Sequence, residues 1–324
     1  MNQPRIRAFV QYITAVLLLD SKITLSRISE SPLPLAESLS HDQLTAALAT
    51  ENSHQQTLLW SFVQALIKLE QGFLVIDDTI IEKPHGVAKN KPDSFLRWVY
   101  SNKESRAIKG IQWVMVLWVT EWGRFPLGWA IYDGQKSKIE LVMAILSQIR
   151  NKLGLRKCHV LMDSWYAANK LFKQIHAYGW TFVARVKKNR LINGIALPQA
   201  IPRGYGQLIG RMGPLKINLI RNGPHFLVTN RLTMSRKTLQ NWYKKRWEIE
   251  EAFRVLKVVC HLKDCQCRVR AAWENHIFLV CMAFSALEFR SKQLGITIYK
   301  LRSRATFKDW KPFLTLWNSV LGGT

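Results

Sequence analysis

The sequence predicts an α/β fold entered through a small helical region, and three observations carry that prediction. Hydrophobic spacing changes from helical to strand-like at Gly72, strand and helix patterns then alternate, and two of the strand patterns end in aspartate. With 324 residues, 48% of them hydrophobic and 11% aromatic, the chain can bury a substantial core.

Helical periodicity marks residues 4–19, a stretch beginning near Ser40, and 53–71, where Leu58, Leu59, Phe62, Leu66 and Leu69 share a face. SESPLPL at 29–35 reads as a loop between the first two. Residues 1–71 are therefore expected to form a helical N-terminal domain suited to DNA-end or subunit contacts. After Gly72, FLVIDD (73–78), IQWVMVLWVT (111–120) and FPLGWAIYD (125–133) are β-rich, and the short EWGR link suggests a hairpin. An amphipathic helix follows at 137–154, then a buried strand, CHVLMD (158–163), a helix at 167–179 and a strand, TFVARVKK (181–188). The order is β-β-β-α-β-α-β. Residues 189–234, with Gly and Pro punctuation around runs such as KINLI and HFLVTN, read as a β-rich insertion. One long helix is expected over 235–259, and the larger domain over 72–290. Residues 291–324 are expected to be a basic C-terminal tail.

Charge narrows the function. The net charge is +25 and the pI near 10.1, which calls for a polyanionic partner, most commonly nucleic acid. The excess is uneven: residues 1–72 are near neutral, whereas 135–200 and 235–324 each carry +10. Between Glu140 and Glu248 there are twenty Lys and Arg, and Asp163 is the only acid. The five cysteines are odd in number and no signal peptide precedes them, so a reducing, cytoplasmic setting without a disulfide framework is expected. CHLKDCQC at 260–267 has no usual zinc spacing. The apolar runs AFVQYITAVLLLD and IFLVCMAFSALEF are too short or too interrupted to span a bilayer and read as core helices.

Strand-end acids at Asp77, Asp78 and Asp163 fall where open α/β sheets place their chemistry. Carboxylates brought together there repel, and a hard divalent cation relieves the repulsion. The plainer reading is that such acids favour the turn that follows. The helix over 235–259 adds Tyr243, Arg246, Glu250 and Lys257, one stripe at 100° per residue, beside the apolar stripe of Trp242, Ile249, Phe253 and Leu256. Its plainer reading is an exposed Arg–Glu pair worth a few tenths of a kcal/mol.

Tyr243-x2-Arg246-x3-Glu250-x6-Lys257 matches the Y-x2-R-x3-E-x6-K signature of the bacterial DDE transposases of the IS-four and Tn-five type, including the group with a D-D-T first motif. The chain resembles that family over most of its length, through IDDT, LMD, the β insertion and the signature helix. The resemblance implies an RNase H-like core and a catalytic, metal-binding triad of Asp78, Asp163 and Glu250. Asp78 is preferred because it stands directly before Thr79, leaving Asp77 to shape the loop. It further implies two Mg²⁺ ions, for which Mn²⁺ substitutes, and no small-molecule cofactor. Tyr243, Arg246 and Lys257 would contact phosphates at the cut end, a role the fork of Arg and the point charge of Lys suit. Arg185, Lys187 and Lys188 would extend that track. The implied activity is cut-and-paste transposition through a hairpin, by a homodimer holding transposon ends and target DNA. The alternatives are an RNase H-like nuclease without strand transfer and a domesticated DNA-binding protein. No membrane role is expected.

Overall fold

The computed structural model describes residues 1–35, 38–86, 94–101, 104–202 and 206–322. It opens with α1 (Gln3–Leu18), α2 (Leu25–Glu30), α3 (His41–Ala49) and α4 (Gln55–Leu66). The helix expected near Ser40 starts there because Ser40 and Gln43 form a capping box, each side chain bonding the other's backbone N–H. Part of the expected loop at 29–35 is instead the end of α2, a helix too short to show periodicity.

The sheet begins with β1 (Phe73–Glu82), β2 (Arg97–Ser101), β3 (Arg106–Thr120) and β4 (Gly123–Tyr132). The chain continues through α5 (Lys138–Asn151), β5 (His159–Met162), α6 (Asn169–Ala177) and β6 (Thr181–Val186). The segment expected to be an insertion contains β7 (Leu191–Ile192), β8 (Ile195–Ala196), α7 (Leu197–Ala200), β9 (Gln207–Met212), β10 (Leu215–Asn222) and β11 (His225–Thr229). Its strands are not set apart. β11 pairs with β6, so the segment extends the main sheet in the order β2-β3-β1-β5-β6-β11-β10-β9, with β4 also on β3. Strand β2 escaped sequence reading because its basic and aromatic residues do not alternate with buried apolar ones.

Two helices, α8 (Arg236–Lys244) and α9 (Trp247–Val258), replace the single helix expected over 235–259. At the junction the N–H groups of Lys245 and Arg246 bond the carbonyls three residues back, at Trp242 and Tyr243. That tighter turn redirects the chain. Helix α8 lies against β6 and β11 while α9 lies against β1, so one straight stripe cannot carry all four signature residues. No glycine or proline marks the break, and packing on different strands is what decides it.

The chain ends in α10 (Arg270–Leu294), α11 (Ile298–Arg304) and α12 (Phe307–Gly322). The expected basic tail is therefore helical and packed: Leu301, Trp310, Trp317 and Leu321 are buried, and Trp317 meets Phe62 of α4 with ring centroids 6.2 Å apart. The N-terminal helices pack against the C-terminal ones. Helices α1, α3 and α4 lie on α10, and α12 lies on α1 and α4. Every residue from Asn275 to Glu288 is buried, because the sheet covers one side of α10 and the N-terminal helices cover the other. No helix among the described residues is long and apolar enough to cross a membrane.

Polar side chains on α10 fasten these layers. Asn275 donates to the carbonyls of Leu48 and Thr50 at 2.7 and 2.8 Å and accepts from Gln55 at 2.8 Å. The Tyr12 hydroxyl donates to His276 Nδ1 at 2.8 Å, while His276 Nε2–H donates to the Leu262 carbonyl at 3.1 Å. Glu288, 2% exposed, accepts from Arg124 Nε at 2.6 Å and pairs with its Nη2.

Two outcomes follow from this fastening. Glu288→Leu leaves the Arg124 cation without its buried partner and should cost about 3–5 kcal/mol in denaturant unfolding; a loss under 1 kcal/mol would contradict it. Burial pushes the His276 pKa down to about 4 from 6.5. The folded chain therefore resists protonation, and stability present above pH 6.5 is lost as pH falls toward 4, by about 3 kcal/mol in all. His276→Gln should flatten that part of the stability-against-pH curve.

Candidate active site

The site is built on a strand register. Strands β1 and β5 run parallel, with Leu74, Val75 and Ile76 paired to Val160, Leu161 and Met162. These apolar residues are fully buried, and the carboxylates that follow them end the apolar run on both strands, which disfavours a slip. One step further on, Asp77 and Asp163 are level and share a face of the sheet. Asp163 Oδ1 accepts the N–H groups of Trp165 and Tyr166 at 2.9 and 3.2 Å, which orients the carboxylate at the strand end. Burial, followed by the charge of Asp163, raises the Asp77 pKa to about 7.

Arg246, at the break between α8 and α9, ties the third acid to this pair. Its Nη1 lies 3.1 Å from Asp77 Oδ2, and its Nη2 bonds Glu250 Oε1. Burial works against the Arg246 charge, but the bond to Glu250 and the charges of Tyr243 and Asp77 outweigh it and raise its pKa. Lys257, further along α9, donates to the Thr79 hydroxyl, and Thr79 shares the Asp77 face by strand alternation. Tyr243 is half-buried within the fields of Arg246, Arg185 and Asp163, and burial chiefly raises its pKa. Arg185 is level with Asp163, since Ala184 pairs with Met162. Lys187 and Lys188 are exposed just past the end of β6.

Asp78 lies elsewhere. It points through the opposite face, where Gln112 Nε2, Lys138 Nζ and the Tyr166 hydroxyl donate to its carboxylate at 2.8, 2.7 and 2.7 Å. These three donors, on β3, on the first turn of α5 and beside Asp163, leave it little capacity for a metal. Asp78 thus lies on the face away from Asp163 and Glu250, with which it was expected to join, and Asp77 is the acid level with Asp163. Neighbours on a strand face opposite ways, so Asp78 and Thr79 lie on different faces, whereas Asp77 and Thr79 alternate onto the same one. Lys138, Gln112 and Tyr166 carried no sequence signal, because only the fold brings them together. Lys138 also holds its ammonium 4.5 Å from the ring of Trp165, an indole 48% exposed beside Asp163.

Among the described residues, no group of three or more His, Cys, Asp or Glu is gathered tightly enough to hold a metal as it stands. The Arg246 guanidinium lies between Asp77 and Glu250. Hard carboxylate oxygens converging on one positive group are the donor chemistry that a divalent cation takes.

A family model described as "Transposase DDE domain" matches residues 68–285. The fold is similar to that of the piggyBac transposase in its synaptic complex with hairpin DNA, with a TM-score of 0.57 and 14% sequence identity, over 98% of this chain and 72% of that one. No curated protein matches the sequence.

The two neighbouring aspartates should respond oppositely to neutralisation. Asp78→Ala strands the Lys138 ammonium and the Tyr166 hydroxyl and should lower stability by about 3 kcal/mol or more. Asp77→Asn removes a buried charge facing Asp163, and its melting temperature at pH 8 should equal or exceed that of the parent. Equal losses in the two variants would refute the division of roles.

Proposed function

The chain belongs to the transposase DDE domain family, and from that premise we propose that it cuts and joins DNA by phosphoryl transfer at Asp77, Asp163 and Glu250. The observation that carries this reading is the level pairing of Asp77 with Asp163 on adjacent parallel strands, with Arg246 linking Asp77 to Glu250. A mixed sheet with β1 and β5 at its centre and helices on both faces supports an RNase H-like core.

The three carboxylates would hold Mg²⁺, with Mn²⁺ as a substitute. When bound, two such ions activate the attacking water or 3′-hydroxyl and stabilise the leaving oxygen. The protein's own contribution is to hold and orient DNA. Arg246 presents a fork suited to two phosphate oxygens, and Lys257 a point charge beside Thr79. Tyr243 offers a hydroxyl within the field of Arg246. Arg185 continues the positive track on the face of Asp163, and Lys187 and Lys188 carry it outward, where they steer the backbone.

In this reading water nicks the transposon end, and the freed 3′-hydroxyl attacks the opposite strand to form a hairpin. Hairpin opening and joining to target DNA complete a cut-and-paste cycle. The partners are transposon ends and target DNA, held by a homodimer.

A duplex built from the element's own end sequence, incubated with Mg²⁺, tests the assignment. Asp77→Asn, Asp163→Asn and Glu250→Gln should each reduce cleavage by at least about 10³-fold while leaving DNA affinity in EDTA within a few-fold. Asp78→Asn should keep measurable cleavage. If Asp78→Asn were inactive and Asp77→Asn active, the triad would be misassigned. Cleavage without joining would point to a nuclease instead.

A further inference from the structure

The face that carries Asp77 continues beyond the catalytic acids onto the β2–β3 hairpin. In the β1–β3 pairing Asp77, Thr79 and Ile81 lie opposite Met115, Trp113 and Ile111, so these residues share one face. Lys109 is next in that alternation along β3 and lies opposite Trp98. Tyr100, two residues on in β2, is on the same face. From Met115 to Lys109 the strand advances roughly 20 Å.

Here the aromatic side chains of β2 are exposed. Trp98 is 50% exposed and Tyr100 64%. Lys109 holds its ammonium 5.8 Å from the Trp98 ring and donates to the Gly86 carbonyl at 3.2 Å, which steadies it. On the other face Arg97 Nη1 donates to the Asp133 carbonyl at 2.6 Å and anchors β2 to the end of β4. Segment 97–110 carries four Lys and Arg against one acid, Glu104.

We propose that Trp98, Tyr100 and Lys109 form a binding surface for single-stranded DNA, taking the strand that leaves the catalytic acids along this face. That direction of approach rests on the proposed active site; the surface itself does not. Exposed aromatic rings on a cationic surface stack on unpaired bases regardless of sequence, and cations between them meet the phosphates. Rings on alternate strand residues are about 7 Å apart, twice the stacking distance in a duplex, so they suit a strand whose bases have been drawn apart. A second copy of the chain is a poor occupant, since both copies would bring the same positive charge to the contact.

The test titrates a fluorescein-labelled oligothymidylate, and a duplex of equal length, against the full chain in EDTA. Replacing Trp98 and Tyr100 together by Ala should weaken oligothymidylate binding at least about tenfold and duplex binding by less than about twofold. Phe at both positions should restore binding, and a melting temperature equal to the parent's would establish that the Ala variant is folded. Unchanged oligothymidylate affinity, or an equal loss for both probes, would overturn the proposal. So would an unchanged affinity accompanied by a shift in sedimentation, which would make the face a contact between copies. Because the titration contains no divalent ion, absence of Mg²⁺-dependent cleavage by the parent protein would sink the transposase reading and leave this surface standing.

Discussion

The parallel pairing of β1 with β5 is the constraint on which the site depends. Buried Leu74, Val75 and Ile76 pack level with Val160, Leu161 and Met162 on strands covered on both faces, so a slip of one residue would draw a strand-end carboxylate into the apolar interior. The cost of that slip holds Asp77 beside Asp163. Burial first, and then the charge of Asp163 beside it, raise the Asp77 pKa to about 7. Arg246 offsets the repulsion from one side, and its place at the break between α8 and α9 lets a single guanidinium reach both Asp77 and Glu250.

Alternation along β1 turns Asp78 to the other face. Its bonds to Gln112, Lys138 and Tyr166 join β1 to β3, to the start of α5 and to the turn after β5. That turn carries Asp163 and the exposed Trp165. An acid paired with Lys138 on the closed face and a crowded pair on the open face are thus produced by consecutive residues of one strand. The closed-face network stabilises the scaffold that holds the open-face pair in its unfavourable arrangement.

Helix α10 does for the whole chain what β1 does for the site. It is buried on every side from Asn275 to Glu288, so it requires partners on both flanks, and the sheet with the N- and C-terminal helices supplies them. Its few polar residues are each bonded to a particular neighbour. A helix that is apolar all round can take many orientations, and Asn275, His276 and Glu288 select one. Helices α1, α3 and α4 pack on α10, and α12 packs on α1 and α4.

Much of the architecture was legible in the chain itself. The periods that mark α1, α3, α4, α5, β1, β3, β4, β5 and β6 are local properties, set by side-chain direction in a helix or strand and by capping pairs such as Ser40 with Gln43. The basic character and the spacing of Tyr243, Arg246, Glu250 and Lys257 are equally local. What the tertiary structure decided is which groups meet. The placing of Asp77 level with Asp163, the break before α9, the addition of β9–β11 to the main sheet and the donors around Asp78 all depend on residues far apart in sequence. No local pattern encodes them, because they follow from the register and layering that bury the most apolar surface while leaving the polar groups bonded.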